Sequence, residues 1–273
     1  MTTASPRIAI LGAGNIGAAI ARGLVSAGLL THDRLVLTRR HAAHLEPFAK
    51  EGFRTSTNNL ESVGAADLIV VSVTPQQLNG LLKEIGPVID PARHTVISIV
   101  SGATIDQIRS QLGVGVPIIR AMPNTAIAIR ESMTCLAADE SAERVLPAVK
   151  ALFEGLGKVI VIEEDLMVPA TALCACGIAF FLRAVRAASQ GGIEIGFHAD
   201  EALLMAAQTA RGAASLLVSG NHPESEVDKV TTPQGCTISG LNQMEHNGFS
   251  SALIKGIVSS AEKAAVLYAP RAS

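Results

Sequence analysis

Tryptophan is absent from this 273-residue chain, tyrosine occurs once, and aromatic residues make up 3% of the whole. Charged residues are also few, at 17%, and nearly balanced, leaving a formal net charge of −2. Nucleic-acid binders carry a basic excess and aromatics on which bases stack, so no nucleic-acid partner is expected. Cysteine is scarce too: Cys135, Cys174, Cys176 and Cys236 form no paired spacing of the kind zinc requires. No metal site is expected, and a cytoplasmic setting with reduced thiols is. The stretch Met1–Ile8 lacks the basic segment and apolar run of a signal peptide. What the chain does have is apolar content, 48%, with a mean hydropathy of +0.37. That excludes a disordered chain. It also raises the question of a membrane. The longest uncharged run, Leu166–Leu182, contains Pro169, Thr171 and Gly177 and is short for a bilayer span. It reads as a buried helix, and no membrane partner is expected.

The first half alternates short apolar runs with amphipathic stretches. Arg7–Leu11, Arg34–Leu37, Asp67–Val73, His94–Val100, Pro117–Arg120 and Lys158–Ile162 read as strands. Asn15–Ala27, His41–Glu51, a segment opened by Pro75, and Ala142–Leu152 read as helices between them. This rhythm predicts an α/β fold with a doubly wound parallel sheet. Beyond residue 162 the β-branched runs disappear. Asp165–Gln190, Asp200–Ser219, Thr237–Asn247 and Ser250–Tyr268 fit helical periodicity, separated by turn residues such as Gly191-Gly192 and Gly220-Asn221-His222-Pro223. Two domains are expected, residues 1–162 and an all-α segment 163–273.

Gly12-Ala13-Gly14-Asn15-Ile16-Gly17 is a G-x-G-x-x-G that follows a predicted strand and opens a predicted helix. In that context it reads as a Rossmann dinucleotide site, with the pyrophosphate on the helix N-terminus. An acid about 20 residues further on would bond the ribose of NAD. Here the second strand ends Leu37-Thr38-Arg39-Arg40 instead. A hydroxyl and two guanidiniums suit a 2′-phosphate, so NADPH is expected and NADH is less favoured. The polar stretch Val230–Leu241 leads into a helix. Its backbone amides and threonine hydroxyls suit a carboxylate, and an ordinary helix-capping loop is the alternative reading.

Taken together the chain resembles the pyrroline-5-carboxylate reductase family. The resemblance rests on Gly12–Gly17, Val71–Gln76, Ser98–Gly102, Arg120-Ala121-Met122-Pro123-Asn124-Thr125, Glu163-Glu164-Asp165, the His222-Pro223 turn and above all Thr231–Leu241. It implies NADPH-dependent reduction of the cyclic imine 1-pyrroline-5-carboxylate to L-proline. It further implies an all-helical dimerisation domain, with dimers often assembled into rings. At matching positions it puts Glu164, Thr232, Gly235, Cys236 and Thr237 at the substrate, with the Thr237 hydroxyl as the catalytic group at the ring nitrogen. It puts Thr38, Asn59, Val73, Thr74, Pro75 and Ser101 at the cofactor, beside the glycine turn and Arg39-Arg40. The chain departs from the family pattern at Cys174-Ala175-Cys176-Gly177-Ile178, where Ser-Gly-Ser-Gly-Pro is usual, and at Gln234-Gly235-Cys236, where two glycines precede a small residue or Thr. Those departures leave open a related cyclic imine as substrate, or a catalytically weak NADPH-binding protein. A β-hydroxyacid dehydrogenase would need a lysine early in the helical half, and none lies between Lys158 and Lys229.

Overall fold

The computed structural model describes residues 5–113 and 115–268. They form two compact units. One comprises the residues up to Cys176 together with those from Ser260 onward, and the other is Gly177–Ser259.

The first unit is built on an eight-stranded sheet in the order β3-β2-β1-β4-β5-β6-β7-β8. Its strands are β1 (Ile8–Leu11), β2 (Leu35–Thr38), β3 (Arg54–Ser56), β4 (Leu68–Val71), β5 (Thr95–Ser98), β6 (Ile118–Met122), β7 (Ser132–Ala138) and β8 (Gly157–Val161). The pairings that link β3 through β6 are all parallel. β1 is third in this order, with Ile8 opposite Leu35 on one side and Leu68 on the other. Its side chains alternate between two cores. Ile8 and Ile10 join α1 (Asn15–Ser26), Phe48 of α2 (Glu46–Lys50) and Phe153 of α6 (Leu146–Glu154). Ala9 and Leu11 join Val63 of α3 (Asn59–Gly64), Leu78 and Leu82 of α4 (Pro75–Ile85) and Ile108 of α5 (Ile105–Leu112). Helices thus cover both faces, which is why the strands are apolar without alternation.

Two features differ from the expectation of a uniform parallel sheet followed by long helices. β7 runs antiparallel to β6. The Met122–Ser132 connection is a 3₁₀ turn, Thr125–Ile129, ended by Arg130 at φ 60°. It is too short for the crossover of about a dozen residues that parallel neighbours need. The segment expected as one helix from Asp165 is also interrupted. After α7 (Met167–Ala170) comes a π-helical turn, Thr171–Cys176, before α8 (Gly177–Glu194) begins. Pro169 has no N–H to give, and the Thr171 hydroxyl donates to the Met167 carbonyl at 2.8 Å. Both loosen the regular ladder at this point.

The second unit contains α8, α9 (Ala199–Val218), α10 (Pro223–Lys229), α11 (Cys236–His246) and most of α12 (Phe249–Ala265). α8 and α9 approach closely where a Cβ on Gly192 would stand 3.0 Å from that of Ala202. Within this unit only Gly177, Ser189 and Ala202 are buried. Phe181 (61% exposed), Leu204 (71%) and Val218 (74%) are open to solvent. The run Glu164–Glu194 is long and apolar enough to cross a membrane by length and composition alone, yet it includes the π turn and carries Arg183 and Arg186. The final turn of α12 returns to the first unit. There Ala264 is buried, Tyr268 packs on the α4–α5 core, and its hydroxyl donates to Asn79. Gly102, at φ 85°, leaves room for this: a Cβ on it would lie 3.2 Å from that of Tyr268.

Candidate active site

A cleft of about 390 Å³ opens at the carboxyl ends of β1, β2 and β4. This is where the strand order reverses, the usual ligand position of an open α/β sheet. The loop after β1 is tied down by its own backbone: Gly12 N–H and Ala13 N–H both donate to the Thr38 carbonyl, at 3.2 and 2.9 Å. Gly12 takes φ 94°, and a Cβ there would stand 2.5 Å from the Ser72 carbonyl oxygen. A Cβ on Gly17 would stand 2.7 Å from the Gly12 carbonyl oxygen. These two glycines let strand, turn and helix close up. Gly14 is different. A Cβ there would meet nothing nearer than Arg39 Nη2, at 4.0 Å, and Gly14 gives α1 no side-chain cap. The first-turn amides of α1, at Asn15, Ile16 and Gly17, therefore have no side chain over them. They can receive an anion, next to a guanidinium. The cleft fits the dinucleotide that the motif implies.

The other cofactor candidates divide by position. Arg39, Arg40, Asn59, Val73 and Thr74 line the same cleft, as does Thr38. The Thr38 hydroxyl is already committed, donating to Asn59 Oδ1 at 2.7 Å, and Asn59 Nδ2 in turn lies 3.2 Å from both Glu84 carboxylate oxygens. Thr74 caps α4 without a side-chain hydrogen bond, so its hydroxyl is uncommitted. Ala13 and Asn15 border an adjoining hollow of about 490 Å³. Ile16 packs on the α1 core, Pro75 is the first residue of α4, and Ser101 stands beyond β5 with its hydroxyl 4.0 Å from Met122 Sδ. Four polar residues of the cleft wall, His41, His44, Ser72 and Gln77, were not among those expected from the sequence. The signal for the histidines was present as the basic run Arg39-Arg40-His41-Ala42-Ala43-His44.

Glu164 belongs to the first unit and is held there. Its Oε1 accepts the Ile105 N–H at 2.6 Å and Arg120 Nη1 at 3.1 Å. Arg120 is buried within β6, and burial pushes its guanidinium below its ordinary pKa against the opposing pull of Glu164. Its Nη2 has no hydrogen-bond partner. Glu164 thus joins the end of β8 to β6 and to the N-terminus of α5. The remaining substrate candidates lie in the second unit. Thr232-Pro233-Gln234-Gly235 makes a turn closed by Gly235 N–H to the Thr232 carbonyl at 2.9 Å. Pro at its second position and a left-handed third residue, Gln234 at φ 58°, give it type II character. A Cβ on Gly235 would stand 2.5 Å from Thr232 Oγ1. Gly235 is also the N-cap of α11, again with no side-chain cap. The turn therefore delivers the free amides of Cys236, Thr237 and Ile238 at one helix end, with the half-buried Thr237 among them. Among the described residues, no three His, Cys, Asp or Glu side chains gather as metal ligands would.

Comparison with known proteins matches residues 164–267 to the family model "Pyrroline-5-carboxylate reductase dimerisation" and residues 7–102 to "NADP oxidoreductase coenzyme F420-dependent". Pyrroline-5-carboxylate reductase 1 of Dictyostelium discoideum is 54% identical over 96% of this chain, which spans only about half (50%) of that relative's length. Pyrroline-5-carboxylate reductase 2 of the same organism is 48% identical, covering 94% of this chain and 91% of the relative. Among solved structures, a pyrroline-5-carboxylate reductase from Coxiella burnetii superposes with a TM-score of 0.88 at 26% identity, over 97% of this chain and 100% of that one. Plasmodium falciparum pyrroline carboxylate reductase, solved with NADP bound, has the same fold, with a TM-score of 0.88 at 22% identity over 97% and 98% of the two chains.

Proposed function

The chain belongs to the pyrroline-5-carboxylate reductase family, and on that premise we propose that it reduces 1-pyrroline-5-carboxylate to L-proline with NADPH. The observation that carries this reading is the glycine turn with Arg39 beside it, in a chain whose helical half matches the family's own dimerisation model. NADPH, when bound, supplies the hydride that saturates the C=N bond. The chain's own part is to bind and orient. Gly12, Gly14 and the first-turn amides of α1 hold the pyrophosphate, and Arg39 and Arg40 hold the 2′-phosphate. Val73, Thr74, Pro75 and Ser101 complete the cofactor side. The amides of Gly235, Cys236 and Thr237, with Thr232, hold the substrate carboxylate, and Glu164 stands on the substrate side. The Thr237 hydroxyl hydrogen-bonds the ring nitrogen, fixing which face of the ring is presented and stabilising the amine as it forms. An iminium carbon is already electrophilic, so positioning rather than a strong acid is what the protein must provide.

On this reading residues 1–162 serve the cofactor and 163–273 the substrate and the dimer. The protein works in the cytoplasm as a homodimer, with a ring of dimers as the larger assembly, and without nucleic-acid or membrane partners. The apolar, scarcely buried helical unit supports the dimer. A second reading, a related cyclic imine as substrate, is motivated by one observation: Gln234, with a full side chain, occupies the left-handed position of the substrate turn. The test is NADPH oxidation with the five- and six-membered imines side by side. Turnover of the five-membered ring is expected to dominate, and no oxidation of either would overturn the reading. Thr237→Ala should lower kcat by about 10²-fold while leaving NADPH binding intact; unchanged kcat would remove Thr237 from the mechanism.

A further inference from the structure

Cys135 and Cys174 lie 39 positions apart in sequence, yet their sulfurs are 3.9 Å from each other. Cys135 is on β7, only 4% exposed. Cys174 is half-buried in the π-helical turn that ends the first unit. Their approach is fixed from both sides. The Asn124 side-chain amide donates to the Cys174 carbonyl at 3.2 Å, and Met122, Ala137, Met167 and Ala170 pack around the pair. The third cysteine of this region, Cys176, makes no such contact among the described residues. Cys236, exposed in the second unit, is likewise without a thiol neighbour.

We propose that Cys174 and Cys135 are a peroxide-reactive dithiol, a modification site at which the chain is cross-linked between β7 and the π turn. The chemistry closes on itself. The Cys174 thiolate attacks one oxygen of hydrogen peroxide, the O–O bond breaks, and the released hydroxide takes a proton and leaves as water. Cys174 is then a sulfenic acid, oxidised by two electrons, and the peroxide has been reduced. The Cys135 thiol gives up its proton and its sulfur attacks Cys174 Sγ. The S–O bond breaks and a second water leaves. Two thiols and one peroxide become one disulfide and two waters.

The local electrostatics assign the roles. Either sulfur can donate across the 3.9 Å contact; with buried Cys135 donating, the bond draws the Cys174 thiol down to about 7, toward thiolate at neutral pH. The same hydrogen bond, together with burial, pushes the Cys135 thiol up. Cys174, partly open to solvent, is therefore the attacking sulfur and buried Cys135 the resolving one. Once Cys174 is a sulfenic acid the thiolate that Cys135 was stabilising is gone, and with it the main cause that held the Cys135 proton.

The experiment treats the intact, fully reduced protein with one equivalent of hydrogen peroxide and maps the products by peptide mass spectrometry. A Cys135–Cys174 linked peptide that dithiothreitol reverses is expected, with Cys176 and Cys236 still free. Cys135→Ala should instead leave a Cys174 sulfenic acid that dimedone traps, and Cys174→Ala should abolish the reaction. Cys176→Ala should behave as the parent. Oxidation of Cys236 or Cys176 ahead of Cys174 would overturn the assignment. So would a parent protein whose Cys174 stops at the sulfenic acid or passes on to higher oxides. The readout on the parent protein stands even if a cysteine variant fails to fold.

Discussion

His94 shows how one side chain can set a pH limit on the fold. It is 2% exposed, its Nδ1 accepts the Asp90 N–H at 2.9 Å, and its Nε2 has no partner. Burial first, and then the charge of Arg93, holds its pKa below the ordinary 6.5. Below that value the unfolded chain takes up a proton that the folded one refuses. Stability contributed by the neutral ring is therefore complete above about pH 6.5 and is lost as the pH falls from there toward the folded pKa. Urea midpoints should drop between about pH 7 and pH 5.5, and His94→Asn, which keeps an acceptor for Asp90, should flatten that drop. Identical slopes in the two chains would discard the assignment. Gln234 is the opposite case, a strained residue in an exposed turn at φ 58°. A left-handed conformation costs a non-glycine residue about 1–2 kcal/mol. Gln234→Gly should raise stability by about 0.5–1 kcal/mol after the added freedom of the unfolded chain is subtracted, measured by chemical denaturation. A loss would mean the glutamine side chain makes a compensating contact. Its strain was half legible in the sequence, since the resembling family carries glycine there, but a residue name alone does not report φ.

At the scale of elements, β1, its turn and α1 were legible because three independent signals coincide there. An apolar strand, a G-x-G-x-x-G and an amphipathic helix succeed one another without a gap; Gly12 and Gly17 each have a steric reason, and Gly14 keeps the helix end open. Arg39 follows from the same frame, because the register of β1 on β2 sets Leu11 opposite Thr38 and so carries the next residue to the glycine turn. Arg39→Met should weaken NADPH binding by about 10–100-fold and leave NADH nearly untouched, the loss expected when hydrogen bonds to a charged group are removed. Equal losses for both cofactors in fluorescence titrations would place Arg39 elsewhere. β7 was not legible. Ser132-Met133-Thr134-Cys135-Leu136-Ala137-Ala138 has neither a β-branched run nor strict alternation, and its antiparallel direction comes from the length of the preceding connection. The π turn escaped for a similar reason. A slip in the hydrogen-bond ladder leaves the apolar pattern of Thr171–Cys176 almost unchanged, so periodicity could not reveal that Cys174 would turn to face Cys135 rather than pack alone.

For the whole molecule, the composition that first suggested a membrane resolves into two parts. One is a sheet buried on both faces. The other is a helical unit whose apolar side chains stay outside: Phe181, Leu182, Leu204, Val218 and Ile254 are each more than half exposed. A hollow of about 700 Å³ between α8 and α9, reaching Met244 and Phe249, is lined almost wholly by carbon. Surfaces of this size and character are rare on monomers. Leu204→Glu should convert the assembly to monomers in sedimentation equilibrium and lower the helical signal with it. A parent protein already monomeric at micromolar concentration would contradict the dimer.

The return of α12 to the first unit has a consequence for how the protein is made. The sheet is complete once the ribosome has passed Val161, yet the α4–α5 face is still missing Ala264 and Tyr268. Those residues are translated only after the entire helical unit. The first unit therefore cannot be completed until the chain is nearly finished, although its sheet is synthesised first. A chain arrested before Ser260 would leave the ribosome with the Gly102 surface bare.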